Sequence, residues 1–104
     1  MTLVNTETIP GKKIVESKGL VQGNIVRTKN CFRDFAADLK STFGGELKGY
    51  TQLLAESRRD AMARMVAEAE ALGANAVVNV RFSTSAIADR ASEMMAYGTA
   101  VVAE

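Results

Sequence analysis

The sequence contains no histidine and no tryptophan, and only one cysteine and one proline among its 104 residues. Without histidine, a soft-metal site loses a common ligand, and acid–base catalysis loses its most frequent group. A single cysteine excludes an internal disulfide bond, so we expect a reducing, cytoplasmic location. We expect no signal peptide, because no basic region precedes an apolar core. No apolar run approaches the roughly 20 residues that span a bilayer.

The chain also lacks an excess of charge of either sign. It has 13 Lys and Arg residues against 12 Asp and Glu residues, which gives a net charge of +1. Nothing electrostatic therefore favours nucleic acid or an anionic membrane as a partner. Hydrophobic residues make up 47% and charged residues 24%, as in an ordinary globular protein. The length predicts a single domain over residues 1–104.

A long helix followed directly by a strand is the strongest pattern present. The helix is predicted over about Glu46–Leu72, and Gly73 is placed to end it. Its apolar residues recur at the 3-and-4 spacing that lines one face: Leu47, Tyr50, Leu54, Ala61, Met65, Ala69 and Leu72. In the next strand, residues of two sets alternate along the chain and so occupy opposite faces, a pattern that indicates a half-buried strand. One set is Ala76, Val78, Val80 and Phe82, and the other is Val77, Asn79, Arg81 and Ser83.

Further elements are predicted before the long helix. Thr2–Thr6 favours a short strand, and Lys12–Arg27 favours strand structure interrupted by Gly19 and Gly23. Those glycines indicate a bulge, a bend or close contact with another backbone. A shorter helix is predicted after Asn30, a good N-cap, with apolar residues at helical spacing: Phe32, Phe35, Ala36, Leu39 and Phe43.

The C-terminal strand, Glu93–Val102, is apolar on both faces. Met94, Ala96, Gly98, Ala100 and Val102 alternate with Met95, Tyr97, Thr99 and Val101. One layer of helices covers only one face of a small sheet. We therefore expect a second copy of the chain to cover the other face, against the alternative that this face is ordinary exposed surface.

Several short motifs occur in an order that resembles the YbjQ-like family of bacterial proteins. They include Gly44-Gly45-Glu46, Leu72-Gly73-Ala74-Asn75-Ala76-Val77 and Ala96-Tyr97-Gly98-Thr99-Ala100-Val101. The resemblance spans nearly the whole chain. It implies an α+β fold with a long helix over an antiparallel sheet. With the shorter helix predicted after Asn30, we expect a long helix plus a shorter helix to cover one face of that sheet. It also implies a ring of five subunits and a heavy-metal-binding label without a characterised function.

The heavy-metal label makes Cys31 the candidate metal ligand. Soft metals bind thiolate, thioether or imidazole groups, and a ring could gather one Cys31 from each subunit. A lone cysteine beside Phe32 and Phe35 is more often a small buried hydrophobe. The methionines are better explained by core packing, and the sequence identifies no particular metal or cofactor.

Arg58 and Tyr97 are the candidate interface or ion-pair residues. Arg58 falls inside the apolar stripe, between Leu54 and Ala61, so its charge must reach solvent or meet a partner. The commoner meaning is a salt bridge across a subunit boundary or to another segment. The functional meaning is an anion or carboxylate site repeated around a ring. Tyr97 lies on the second face of the C-terminal strand.

Two hypotheses about function remain, and neither is an enzyme. No nucleophile has an obvious base nearby, and no phosphate-binding loop is present. The first hypothesis is an oligomeric binding protein that holds a heavy metal or a small ligand. The alternative is a structural or protein-interaction module with no small ligand. In both cases the expected partner is the chain itself, without nucleic acid and without membrane insertion.

We predict that Cys31→Ala keeps the assembly intact and costs about 1 kcal/mol of stability, through the small void that it leaves. Any zinc or copper uptake by the parent should survive, because one thiol without histidine is a poor selective site. Calorimetry on the parent and the variant checks this. Tight metal binding by the parent that Cys31→Ala abolishes would establish a symmetric cysteine ring instead.

Overall fold

The computed structural model describes residues 1–28, 48–88 and 91–104, and only the backbone of residues 28, 48–50, 87, 88 and 91. The described elements are β1 (Thr2–Leu3), β2 (Ile14–Thr28), α1 (Lys48–Ala71), β3 (Ala76–Ala88) and β4 (Ala91–Ala103). The predicted shorter helix after Asn30 lies outside the described residues, and so does Cys31. The Gly44-Gly45-Glu46 motif lies outside the described residues as well.

The strands form a four-stranded sheet in the order β1-β3-β4-β2. The long strands β3, β4 and β2 pair antiparallel, whereas β1 pairs parallel to β3. The prediction of an α+β fold is confirmed, but the prediction of a purely antiparallel sheet is wrong at this edge, and the sheet is mixed. A parallel pair needs a long connection, and here β2 and α1 lie between the two strands in sequence.

Helix α1 packs on one face of the sheet through a stripe at i, i+4 spacing. The stripe differs from the predicted one because Leu72 follows the last helical residue and is 44% exposed. After it the chain turns at Gly73, with φ of 82° and its N–H donated to Glu70 O at 3.0 Å. The predicted glycine terminator is thereby confirmed. The buried residues of the stripe are Leu53, Ser57, Ala61, Met65 and Ala69.

Helix α1 and the sheet approach each other closely at Gly23 on β2. A Cβ placed there would overlap the carbonyl oxygen of Ala61 and the amide nitrogen of Met65. From the helix side, Arg64 Nη1 donates to Asn24 O at 2.7 Å, which ties α1 to the same strand. Of the three predicted alternatives, a bulge, a bend or a close backbone contact, the close contact is the one found at Gly23. At Gly19, φ is 101° beside a register shift, so this glycine marks the predicted irregularity.

A bulge in β3 changes which residues face the helix. Asn79 has φ of 55°, and the pairing of β3 with β4 shifts between Val78 and Arg81. Val77 and Val80 therefore both belong to the core under α1, and the predicted alternation is wrong from Asn79 onward. An asparagine tolerates the left-handed backbone conformation better than most residues. Its N–H is donated to Thr6 O at 3.0 Å.

The N-terminal segment covers one end of the other sheet face. Between β1 at one edge and β2 at the opposite edge, the chain crosses this face, and Ile9 packs there against a second apolar cluster. That cluster contains Val78 and Val101, which point away from α1. The second face is thus partly covered by the chain itself, which the sequence did not indicate.

Asn75 joins the two ends of the chain at the start of β3. Its Nδ2 donates to Ala103 O at 2.8 Å, and its Oδ1 accepts from Ala103 N at 2.8 Å. Its carbonyl oxygen accepts from Thr2 N at 3.3 Å. The Leu72-to-Val77 motif therefore has a structural role, since it ends the helix and then anchors both termini.

We predict that Gly23→Ala and Gly98→Val each lower the free energy of unfolding by at least about 2 kcal/mol, because the added atoms overpack the core. On Gly98, a Cβ would lie 2.7 Å from Val77 Cγ1 and 2.9 Å from Val78 O. Gln22→Ala is the matched control, since Gln22 is exposed on the same strand as Gly23. Urea denaturation measures all three variants. If either glycine variant has the same free energy of unfolding as the parent, then α1 or β3 can shift to accommodate the added atoms without loss of stability.

Candidate functional site

A groove lies between the first half of α1 and the adjoining parts of β2, β3 and β4. Its volume is about 450 Å³. This lies within the range of roughly 300–1,000 Å³ that is usual for small-molecule sites. Leu53 and Met94 are buried at its floor, and Leu54 is half-buried beside them. The groove therefore has an apolar base of the kind that receives a carbon chain.

Strand alternation decides which polar side chains face the groove. Met94 belongs to the core under α1, and its register partner Thr84 shares that face of the sheet. Ser92, two residues before Met94, lies on the same face. Ser85 and Glu93 are paired with each other and therefore belong to the opposite face, although they border the groove. The carboxylate of Glu93 is thus directed away from the groove.

Arg27 is the best-anchored charged side chain of the groove. Its Nε donates to Ser57 Oγ at 3.3 Å, and its Nη2 lies 3.0 Å from Asp60 Oδ2 in an ion pair. Ser57 is 4% exposed, so the acceptor of the Arg27 hydrogen bond is the hydroxyl oxygen of a buried serine. These bonds direct the guanidinium of Arg27 toward α1.

Arg58 is the second cation that lines the groove, but its predicted position is wrong. The sequence put Arg58 inside the apolar stripe, whereas the stripe position belongs to Ser57 and Arg58 is exposed. An i, i+4 stripe that passes through Leu53 and Ala61 includes residue 57 rather than residue 58. Among the described residues, no ion pair of Arg58 is present.

Tyr97 is not brought together with Arg58. It lies on the face of the sheet opposite α1, is 37% exposed, and pairs with Gln22 on β2 and Arg81 on β3. Sequence reasoning missed Arg27, Ser57 and Asp60. The spacing of Ser57 from Leu53 and Ala61 was a usable signal, but the approach of Arg27 to α1 joins residues 33 positions apart.

The donor groups in the described part of the chain do not fit a heavy-metal site. Residues 1–28, 48–88 and 91–104 contain no group of three or more His, Cys, Asp or Glu side chains placed to hold an ion. The whole chain has no histidine. A soft metal would therefore need ligands from Cys31, outside the described residues, or from several subunits.

A second groove is apolar and offers less chemistry. It has a volume of about 590 Å³ and lies between α1, the N-terminal segment that begins with β1, and the middle of β3, where Met62 and Phe82 line it. Of the described residues that line it, none is ionisable.

Within the described ranges, the helix lacks the continuous apolar length that a bilayer crossing requires.

The family model described as "Putative heavy-metal-binding", YbjQ_1, matches residues 1–104. The chain therefore belongs to the YbjQ family, as the motifs predicted. A UPF0145 protein of Hahella chejuensis is 57% identical over 104 residues, which is 100% of both chains. A UPF0145 protein of Halorubrum lacusprofundi is 57% identical over 101 residues, 97% of each chain. Another from Dehalococcoides mccartyi is 54% identical over 104 residues, again 100% of both.

A solved structure shares the fold. The crystal structure of a DUF74-family protein of unknown function from Pediococcus pentosaceus superposes with a TM-score of 0.62. It covers 100% of this chain and 98% of its own, at 14% sequence identity. At that identity the likeness concerns the fold alone.

We predict that the Arg27–Asp60 pair contributes less than about 1 kcal/mol of coupling energy, because partly exposed ion pairs are screened by water. The two side chains are 30% and 56% exposed. A double-mutant cycle of Arg27→Gln and Asp60→Asn, followed by urea denaturation, measures the coupling. A coupling of several kcal/mol would mean that this side of the groove is closed to solvent.

Proposed function

We propose that the chain is the subunit of a homo-oligomeric, ring-shaped binding protein and not an enzyme. The observation that supports assembly best is the apolar part of the second sheet face that Ile9 leaves uncovered. Leu20 is 81% exposed there, Val26 is 49% exposed, and Tyr97 lies on the same face, diagonal to Leu20. A cytoplasmic location, favoured by the single cysteine, is part of the same proposal.

A second copy of the chain is the occupant that we propose for this face. Leu20 and Tyr97 are diagonal neighbours in the register, and Met95 lies between Tyr97 and Val26 on the same face. Together these side chains form an apolar row, which differs from apolar residues scattered singly over a surface. Arg81 and Glu93 lie on the same face, so the patch carries charges of both signs and can complement itself.

The sheet edges support a ring over a closed dimer. Among the described residues, β2 has no strand along its outer edge, and β1 covers the outer edge of β3 only at its start. Two different free edges on opposite sides of a subunit permit head-to-tail contacts, which close into rings when the rotation allows. The number of five subunits is taken from the family resemblance.

Two classes of ligand are candidates for this binding protein, a heavy metal and a small molecule. The missing donor cluster in the described residues favours the small molecule, or the alternative module with no ligand at all. Elemental analysis of protein purified without an affinity tag, combined with native mass spectrometry, distinguishes the three. Stoichiometric metal supports the metal reading, extra organic mass supports the small molecule, and a bare assembly supports the interaction module.

We predict that the parent elutes as an oligomer and that Leu20→Lys lowers its mass, because a desolvated lysine cannot be accommodated in an apolar interface. Light scattering coupled to size exclusion measures both. Leu72→Lys is the matched control, since Leu72 is also exposed but lies at the end of α1. A parent mass near 11.1 kDa at micromolar concentration would refute the assembly.

A further inference from the structure

We propose that the groove beside α1 binds a small organic carboxylate with a short apolar chain. This names the ligand class of the proposed binding protein, but the groove is formed within one subunit and lies on the helix-covered face. The inference therefore rests on the binding part of the proposed function and does not depend on the ring.

The charge of the groove selects an anion. Among the residues that the structure describes, the charged side chains that line it on the helix-covered face are Arg27 and Arg58, since the carboxylate of Glu93 belongs to the opposite face. Asp60 offsets one of these charges through its ion pair with Arg27. An arginine guanidinium has five N–H donors in a planar fork that matches a carboxylate. The described bonds of Arg27 use two of them.

The floor of the groove selects a carbon chain behind the anionic head. Leu53 and Met94 are buried at the base, and the half-buried Leu54 continues the apolar surface. A fully hydrated inorganic anion would leave this surface without contact. A short aliphatic chain would cover it and contribute about 0.8 kcal/mol for each buried CH₂ group.

Hydroxyl groups complete the recognition of the head. Thr84 and Ser92 share the helix-covered face with Met94, and both line the groove. Each hydroxyl can donate one hydrogen bond to a carboxylate oxygen. Ser57 serves differently, because its buried oxygen accepts from Arg27 and so positions that guanidinium.

Neighbouring methionines on β4 provide a reporter and an internal control. Met94 is 7% exposed and lines the groove, whereas the next residue, Met95, lies on the opposite face of the sheet. With ¹³C-methyl methionine labelling of the full chain, the chain's 5 methionines give separate methyl signals. A ligand in the groove shifts the Met94 signal and leaves the Met95 signal in place.

The probe is sodium hexanoate, titrated against the parent at constant ionic strength. We expect a saturable shift of Met94, and about tenfold weaker binding to Arg58→Gln, which corresponds to the loss of one charge-assisted hydrogen bond. Arg59→Gln is the matched control, because Arg59 is an exposed arginine of α1 that does not line the groove. It should bind hexanoate as the parent does.

Two further probes separate the parts of the proposal. Hexan-1-ol has the chain without the charge, and inorganic phosphate has charge without a chain, so both should bind at least about tenfold more weakly than hexanoate. Equal binding of either one overturns the carboxylate assignment. Unchanged affinity in Arg58→Gln, or a shift of Met95 in place of Met94, overturns the site.

The same samples distinguish this inference from the assembly. Light scattering gives the mass of each sample before titration. A monomer whose Met94 signal shifts with hexanoate supports the groove and refutes the ring. An oligomer whose Met94 signal stays in place at saturating hexanoate supports the ring and refutes the groove.

Discussion

The contact between α1 and Gly23 sets the geometry on which the rest of the subunit depends. With no side chain at this point, helix backbone and strand backbone meet directly, and the small residues Ala61 and Ala69 keep α1 close to the sheet. Interiors are packed so densely that a single added carbon is felt. The same close approach positions Ser57 and Asp60 within reach of Arg27, and so it forms the wall of the groove.

The periodic elements could be predicted from sequence because each has a local cause. The long helix follows from apolar spacing, its end follows from Gly73, and the close contact at Gly23 follows from a glycine inside a strand. The bulge at Asn79 could not be predicted in this way. An asparagine in the left-handed conformation leaves the pattern of hydrophobic residues unchanged, while it reverses the faces on which the later residues lie.

The candidate site was predicted less completely than the fold. Arg58 does line the groove, but the apolar pattern places Arg58 inside the stripe, whereas the buried position in that turn of α1 is Ser57. Arg27 gave no signal, since its role depends on a contact made across the packed layers. The crossing of Ile9 over the second face depends likewise on where two distant strands pair, which local patterns do not encode.

The two hydrogen bonds between the Asn75 side chain and the Ala103 backbone, together with the bond from Thr2 N to the Asn75 carbonyl oxygen, bring the two chain ends to one corner of the sheet. Any fusion partner or purification tag, at either end, would consequently crowd the same corner. A tag at either terminus would lie near the start of β3, whereas the groove is bordered by the other end of that strand. For the same reason a short peptide could join the ends covalently and new termini could be opened elsewhere, which makes the chain a natural subject for circular permutation.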